Sequence, residues 1–461
     1  MRILYNLVFF LLGIFYLPYF VVTRRYRYGM KDRFGLLPEK IKSICSETGA
    51  HTGSNSEFLG RNAEPAIGFS GGRMHKIIWV HAVSVGEVKA AGILAPLLRR
   101  AFPSHTLLFS TVTHTGNKVA KTIASGNEGV FFLPFDISFI VDRVVKMVRP
   151  EIFISMETEL WPNLILSLYK AGSRLILANG RISNRSYSRY KKGKFFISVL
   201  LKKFSLILMQ SAQDAKRIIA LGAQKEKVFV TGNLKFDIPL LNFDTKRTEF
   251  RKKLNLNENE ILIIAGSTHK PEEEVIIDCF VRLKKEHDNI RLLIAPRHIE
   301  RAGEIERLLS KTGFKSIRIS QIYTNDESRI TNHESRITND EQSVFLLDTI
   351  GELRSMYSAS DIVFMGGSLI KKGGQNPIEP ASFGKPIIFG RYTFNFHDVT
   401  KIFLENGSGI EVDDKEGLYS AIRFLLNNPE DRKRLGINAK DTINKNSGSS
   451  QRTIDLILSN S

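Results

Sequence analysis

The chain is predicted to be an α/β protein of two doubly wound units with parallel sheets, on three observations. Short apolar runs end in polar, glycine-bearing turns. Each turn opens a helical pattern. The alternation continues through both halves of the 461 residues, a length that suggests two domains with ample core. Strand–helix alternation of this kind makes parallel sheets whose strands end along one edge, where open α/β sheets bind ligands.

The first run is Ile77-Ile78-Trp79-Val80, closed by the turn His81–Glu87 and a helical pattern from Val88 through Leu98. Gly86 allows close approach to the backbone. Glu87 sets a carboxylate at a helix start beside free N–H groups. Ser84 and Glu87 also have capping-box spacing, so a helix cap and a ligand contact both remain open for Glu87. Three further junctions follow. Leu107–Ser110 leads into Thr-Val-Thr-His-Thr-Gly, Ile152–Ser155 into Met-Glu-Thr-Glu-Leu-Trp-Pro-Asn (156–163), and Leu175–Ala178 into Asn-Gly-Arg-Ile-Ser (179–183). Each carries charged or polar residues where a structural turn needs only Gly, Pro or a cap.

A new α/β unit starts in the second half. Ile261–Ala265 is followed by Gly-Ser-Thr-His-Lys-Pro-Glu-Glu-Glu (266–274), whose backbone N–H groups suit a phosphate. The acidic residues there suit the helix dipole, so capping alone also explains them. Arg291–Ala295 ends in Pro296-Arg297-His298, and an arginine at a strand's end is a phosphate clamp or a surface charge. Val344–Leu347 leads into Asp348–Leu353, and Asp361–Met365 into Gly366-Gly367-Ser368. Gly373-Gly374-Gln375-Asn376-Pro377-Ile378-Glu379-Pro380 precedes the strand Pro386–Phe389. A glycine pair, a helix start and a Glu one turn in form a nucleotide-sugar pattern, the helix start meeting phosphate and Glu379 accepting ribose hydroxyls.

The net charge of +19 implies an acidic partner: nucleic acid, an anionic membrane surface or a phosphorylated substrate. The basic residues are scattered and no aromatic-basic RNA motif is present, which argues against nucleic acid. Cys45 and Cys279 are the only cysteines, and neither a metal site nor a disulfide framework follows from two, so a reduced compartment is expected. Leu4–Val22 is almost wholly apolar and is followed by Arg24, Arg25, Arg27, Lys31 and Arg33, against Arg2 alone before it. This predicts a membrane anchor with everything after residue 23 on the cytoplasmic side. Between residues 43 and 75 the composition shifts to Gly, Ser, Asn and Thr and reads as a linker or surface insertion. The repeated Ser-Arg-Ile-Thr-Asn at 328–332 and 335–339 reads as a duplicated surface insert. The expected division is an anchor at 1–23, a basic juxtamembrane segment and linker at 24–75, a first α/β domain at 76–238 and a second at 239–461.

The motifs S-V-G-E (84–87), M-E-T-E-L-W-P-N (156–163), N-G-R-I-S (179–183), G-N-L-K-F-D (232–237), A-G-S-T-H (265–269), A-P-R-H (295–298), D-T-I-G-E-L (348–353) and G-G-Q-N-P-I-E-P (373–380) stand in an order that resembles the bacterial Kdo transferases of lipopolysaccharide synthesis. These are glycosyltransferases of the GT-B fold. The likeness spans residues 1–42 and about 76–440; the linker and the repeat depart from it. It implies two Rossmann-like domains facing across a cleft, the first taking acceptor and the second taking nucleotide donor. The implied reaction moves the eight-carbon acid sugar Kdo from CMP-Kdo to the lipid A precursor at the inner membrane, with inversion. Another GT-B transferase acting on a lipid-linked acceptor is the alternative.

Single displacement needs a base for the acceptor hydroxyl. By position in its motif Glu87 is that base, with Glu157 and Glu159 as supporting or acceptor-binding candidates that the sequence does not separate. Lys235 or Arg181 would meet the Kdo carboxylate. The resemblance assigns donor binding to Ser267, Thr268, Pro296, Arg297, Thr349, Gly351, Leu353, Asn376 and Glu379. No metal or other cofactor is expected, since the leaving group is already a phosphate and GT-B enzymes generally work without one. His81, His114 and His298 read as hydrogen-bonding groups, not metal ligands.

Overall fold

The apolar runs pair side by side and in parallel in the computed structural model, which describes residues 28–47, 76–237, 243–322 and 342–460. The chain divides at Asp237/Ile238 into two units, and Ser447–Ser461 belongs with the first.

In the first unit β1 (Lys76–His81), β2 (His105–Thr111), β3 (Gly129–Phe132), β4 (Ile152–Met156), β5 (Arg174–Gly180), β6 (Leu206–Met209) and β7 (Val228–Val230) form a sheet of order β3-β2-β1-β4-β5-β6-β7. Its strands are continuous apolar runs because helices cover both faces. Ile77, Trp79 and Phe153 face one core with Leu164 and Leu168. Ile78, Val80 and Ile154 face another with Val88, Leu94 and Ala95 of the helix Val85–Ala101.

The second unit repeats the plan. β8 (Ile261–Thr268), β9 (Ile290–Pro296), β10 (Lys315–Arg318), β11 (Ser343–Leu346), β12 (Ile362–Met365), β13 (Ile387–Gly390) and β14 (Ile410–Val412) are ordered β10-β11-β9-β8-β12-β13-β14. The expected pair of Rossmann-like α/β units is therefore present. Strand order reverses between β1 and β4 in one sheet and between β8 and β12 in the other. At such a reversal neighbouring loops leave in opposite directions and open a crevice at the strands' carboxyl ends.

Two expectations about extent are corrected. Residues 239–461 do not stay together: the helix Ser449–Ser459 returns to the first unit, where Ile454 and Ile457 join the core beneath Val85–Ala101. Arg452 Nε donates to Thr231 O at 2.9 Å, and Arg174 donates to Ile457 O at 2.7 Å. An amphipathic repeat shows that a face is covered and leaves open which core covers it.

The segment 24–75, read as juxtamembrane and linker, is folded at its described residues 28–47. Helices span Met30–Arg33 and Glu39–Glu47, and Leu37, Ile41, Ile44 and Cys45 enter the first unit's core. Arg33, counted among the membrane-flanking charges, is 4% exposed. Its guanidinium donates to Val112 O and lies 4.8 Å over the Phe132 ring. Among the described residues no helix is long and apolar enough to cross a membrane. The expected anchor at 4–22, the linker residues 48–75 and the repeat at 328–339 lie outside the described residues.

Candidate active site

In the first unit the residues picked from sequence meet at the reversal of strand order. Ser84 caps the helix Val85–Ala101, its Oγ accepting the Glu87 N–H at 3.4 Å. The Glu87 carboxylate folds back, accepting the Val83 N–H on Oε2 at 2.8 Å and the Ser84 hydroxyl on Oε1 at 2.8 Å. The capping reading is thus realised, and the same cap immobilises a carboxyl that is only 6% exposed. Burial pushes the Glu87 pKa up to about 7, and Glu157 and Glu159 add repulsion that outlasts the stabilising bonds from Val83 and Ser84. Helix cap and buried carboxyl are thus the same residue.

Glu157 and Glu159 follow β4, immediately across the reversal from Glu87. Glu157 has φ 53, the left-handed region that costs a non-glycine residue, and its N–H donates to Ala178 O at 2.9 Å. Burial and Glu157 together lift Glu159 to about 7. Ser155 Oγ donates to Glu159 O at 3.0 Å and shapes the loop. Lys235 arrives from the turn Leu234–Phe236 after β7, with its Nζ 3.9 Å from Glu157 Oε1. Residues from three strand ends therefore converge: three carboxylates whose charges are felt mutually, with one ammonium beside Glu157. Arg181 lies one strand over, its backbone tied to the Thr158 hydroxyl in both directions.

Beneath this group His81 is fully buried with Nδ1 2.9 Å from Ser110 Oγ, and burial drives its pKa down to about 4. It is a neutral hydrogen-bonding imidazole. His114 stacks on Tyr28, ring centres 3.8 Å apart.

In the second unit Ser267 bulges out of β8 with φ 55. β8 and β9 rejoin at Thr268 and Pro296, and Arg297 N donates to Thr268 O at 2.9 Å. The Arg297 side chain is exposed, and Pro296 is buried. Thr268 departs from its expected role as phosphate donor: its buried hydroxyl donates to Glu273 Oε1 at 3.0 Å, and Glu273 pairs with Arg301 at 2.8 Å. A hydroxyl committed to a buried carboxylate holds the loop and is not turned to a ligand.

The Thr349 hydroxyl bonds Glu352, Gly351 turns with φ 94, and Leu353 starts the helix Leu353–Met356. Asn376 joins the turn to Glu379, donating from Nδ2 to Oε1 at 3.2 Å and accepting the Ile378 N–H on Oδ1. Glu379 acts electrostatically on Arg354 and on buried Tyr357. The D-T-I-G-E-L and G-G-Q-N-P-I-E-P motifs therefore lie together.

Sequence reasoning took Glu272 as a dipole-stabilising cap. It also ties the unit's two central loops together. Its carboxylate is 1% exposed and accepts N–H groups from His269, Gly367, Ser368 and Leu369, at 2.6–3.0 Å. The dipole role of the acidic run is legible in the sequence, whereas the partner loop 95 residues on is not. Asn179 opens the N-G-R-I-S run, whose pattern assigns it no role. It is buried, has φ 56, and its Oδ1 accepts the Leu234 N–H at 3.0 Å, seating the turn that carries Lys235. Among the described residues no group of three or more His, Cys, Asp or Glu has the arrangement of a metal site.

Two Rossmann-like units, each with a polar constellation where its strand order reverses, define a two-domain, doubly wound α/β protein. The family model described as 3-deoxy-D-manno-octulosonic-acid transferase (kdotransferase) matches residues 30–238, and that described as glycosyl transferases group 1 matches 245–442. The 3-deoxy-D-manno-octulosonic acid transferase of Haemophilus influenzae is 38% identical over 386 residues, 82% of this chain and 86% of its own. That of Chlamydophila psittaci is 33% identical over 362 residues, 77% and 78% of the two chains. Among solved structures, a UDP-GlcNAc 2-epimerase from Neisseria meningitidis bound to UDP-GlcNAc covers 83% of this chain and all of its own with a TM-score of 0.54, and at 14% identity it shows the fold alone. The chain belongs to the 3-deoxy-D-manno-octulosonic acid (Kdo) transferase family.

Proposed function

We propose that this protein transfers Kdo from CMP-Kdo to the phosphorylated, acylated glucosamine disaccharide of the lipid A precursor, inverting the anomeric carbon. The observation that carries the reading is Glu87: a buried carboxyl held by its own helix cap, with a pKa near 7, among the carboxylates of a first unit that bears the family's motifs. Family membership supports the sugar, and the exposed Arg297 at the end of β9 supports a donor with a phosphate leaving group.

In this reading Glu87 takes the proton from the acceptor hydroxyl as its oxygen bonds to the anomeric carbon. The bond from that carbon to the phosphate oxygen breaks, and CMP leaves with the electron pair. A base with a pKa near the working pH is suited to this task. Glu157 and Glu159 hold Glu87 protonatable by repulsion and orient the acceptor, and Lys235 balances Glu157. In the second unit Ser267, Arg297 and the turn at Asn376 meet the phosphate, and Glu379 accepts ribose hydroxyls. The charge on the leaving group is met by these residues, so the reading requires no metal and no further cofactor. The GT-B pairing of the two units belongs to the same proposal.

The apolar segment 4–22 and its basic flank support attachment to the anionic inner face of the inner membrane, where lipid acceptor and cytosolic nucleotide meet. Incubation with CMP-Kdo and lipid A precursor, with products weighed by mass spectrometry, tests the reaction. A mass gain of one or more Kdo residues is expected. Transfer only from another sugar nucleotide would favour the GT-B alternative. Removal of residues 1–22 should reduce partition to anionic vesicles while turnover on detergent-dispersed acceptor persists; unaltered partition would overturn the anchor.

A further inference from the structure

A donor of the proposed kind carries two anions, the nucleotide phosphate and a carboxylate next to the reacting carbon. Of the cations in the first unit, Lys235 already has Glu157 beside it at 3.9 Å. Gly367, in the loop after β12, has φ +69, and a Cβ added there would lie 3.4 Å from His269 Cδ2, 3.5 Å from Lys372 Cβ and 3.6 Å from Gln375 Nε2. The absent side chain leaves a notch bordered by polar side chains from the loops after β8 and β12.

The acids nearest this notch are already committed. Glu272 accepts four backbone N–H groups, and Glu273 is held by Arg301 and Thr268. Among the described residues neither the Lys372 ammonium nor the Arg297 guanidinium forms an ion pair. His269 and His298 face each other edge to face, ring centres 5.7 Å apart. Burial disfavours the charged form of His269, and His298, Lys372 and Arg297 add to this by repulsion, with Glu273 opposing. The local field is positive and unmatched, which is the condition for holding an anion.

We propose that the notch at Gly367, lined by His269, Lys372 and Gln375, receives the carboxylate of the donor's acid sugar. It would thereby select a nucleotide-linked ulosonate over a nucleotide carrying a neutral sugar. Lys372 supplies the charge, and the Gln375 amide and His269 ring N–H supply directed donors. Glu272 keeps the notch open by pinning the Gly367–Leu369 backbone from behind. The inference rests on the reading of the second unit as the CMP-Kdo site.

The test compares purified full-length wild type with Lys372→Met, His269→Gln and Lys372→Arg, reading KM for CMP-Kdo, Ki for CMP and KM for acceptor. CMP has the phosphate and lacks the carboxylate. Lys372→Met is expected to raise KM for CMP-Kdo about tenfold or more, with Ki for CMP within about twofold, which also reports a folded donor unit. His269→Gln should move the same way by less, and Lys372→Arg should restore most of the loss. Equal rises in KM and Ki would assign Lys372 to the phosphate and overturn the proposal. So would a rise confined to the acceptor, which would mark an acceptor phosphate site, or no change at all. Failure of the wild type to bind CMP would instead sink the donor reading itself, and it is seen before any variant is compared.

Discussion

The two units have the same strand plan, yet opposite chemistry stands at their reversals of strand order. Beside β1 and β4 three carboxylates gather, and burial with mutual repulsion holds Glu87 and Glu159 at about 7. Beside β8 and β12 the carboxylates of Glu272 and Glu273 are turned inward and matched by N–H groups and Arg301, while Arg297 and Lys372 stand without ion pairs among the described residues. Each unit places a left-handed, non-glycine residue in a bulge at a strand end, Asn179 in β5 and Ser267 in β8. The scaffold thus repeats down to its bulges, and the loop side chains decide whether the edge gathers carboxylates or leaves cations without ion pairs.

The largest effect should come from breaking the inward use of an acid in the second unit. Glu272→Ala leaves up to four buried N–H groups without an acceptor and should cost on the order of 3–5 kcal/mol. Thermal unfolding would show it, with loss of CMP binding; an unchanged melting temperature would mean that the two loops do not depend on this carboxylate.

Glu87→Gln breaks the first unit's chemistry instead of its structure. It should cut turnover about a hundredfold or more while CMP binding survives. Near-normal turnover would remove Glu87 as the base. Arg297→Ala and Glu379→Ala sharpen the contrast from the other side, each weakening CMP binding about 5- to 100-fold as read by calorimetry. If both variants bind CMP normally, the donor site lies elsewhere in the chain.

A further effect is on stability against pH, and its sign is shared by buried acids of both units, since burial also raises the Glu272 pKa. Glu87 and Glu159 have folded pKa values of about 7, above the ordinary 4.5. Folding therefore favours their protonated forms. The stability they contribute is fully present below about pH 4.5 and is lost as pH rises through about 7. A Glu87→Gln, Glu159→Gln double variant should lose this decline, measured as denaturation midpoints from pH 4 to 8. Activity runs the other way, since the base must be ionised: kcat/KM of the wild type should climb as pH passes about 7. The limb belongs to the coupled group and not to one residue alone. A flat profile through that range would contradict a base with a raised pKa.

By itself the sequence determined the α/β class, the position of most strand ends and the residues that crowd the two edges. Alternating apolar runs, glycine turns and caps are local signals, written within a few residues of one another. Glu87 was visible as a cap and as a ligand group, and nothing in the S-V-G-E spacing could choose, because burial sets the pKa and burial comes from neighbours distant in sequence. Tertiary structure alone decided that Glu272 reaches a loop 95 residues away, that Thr268 spends its hydroxyl on Glu273, that Arg33 leaves the basic flank for Val112 and Phe132, and that the last helix supports the first unit. Each of these is a pairing across the chain. Its energy depends on which groups folding desolvates together, and no periodicity records that.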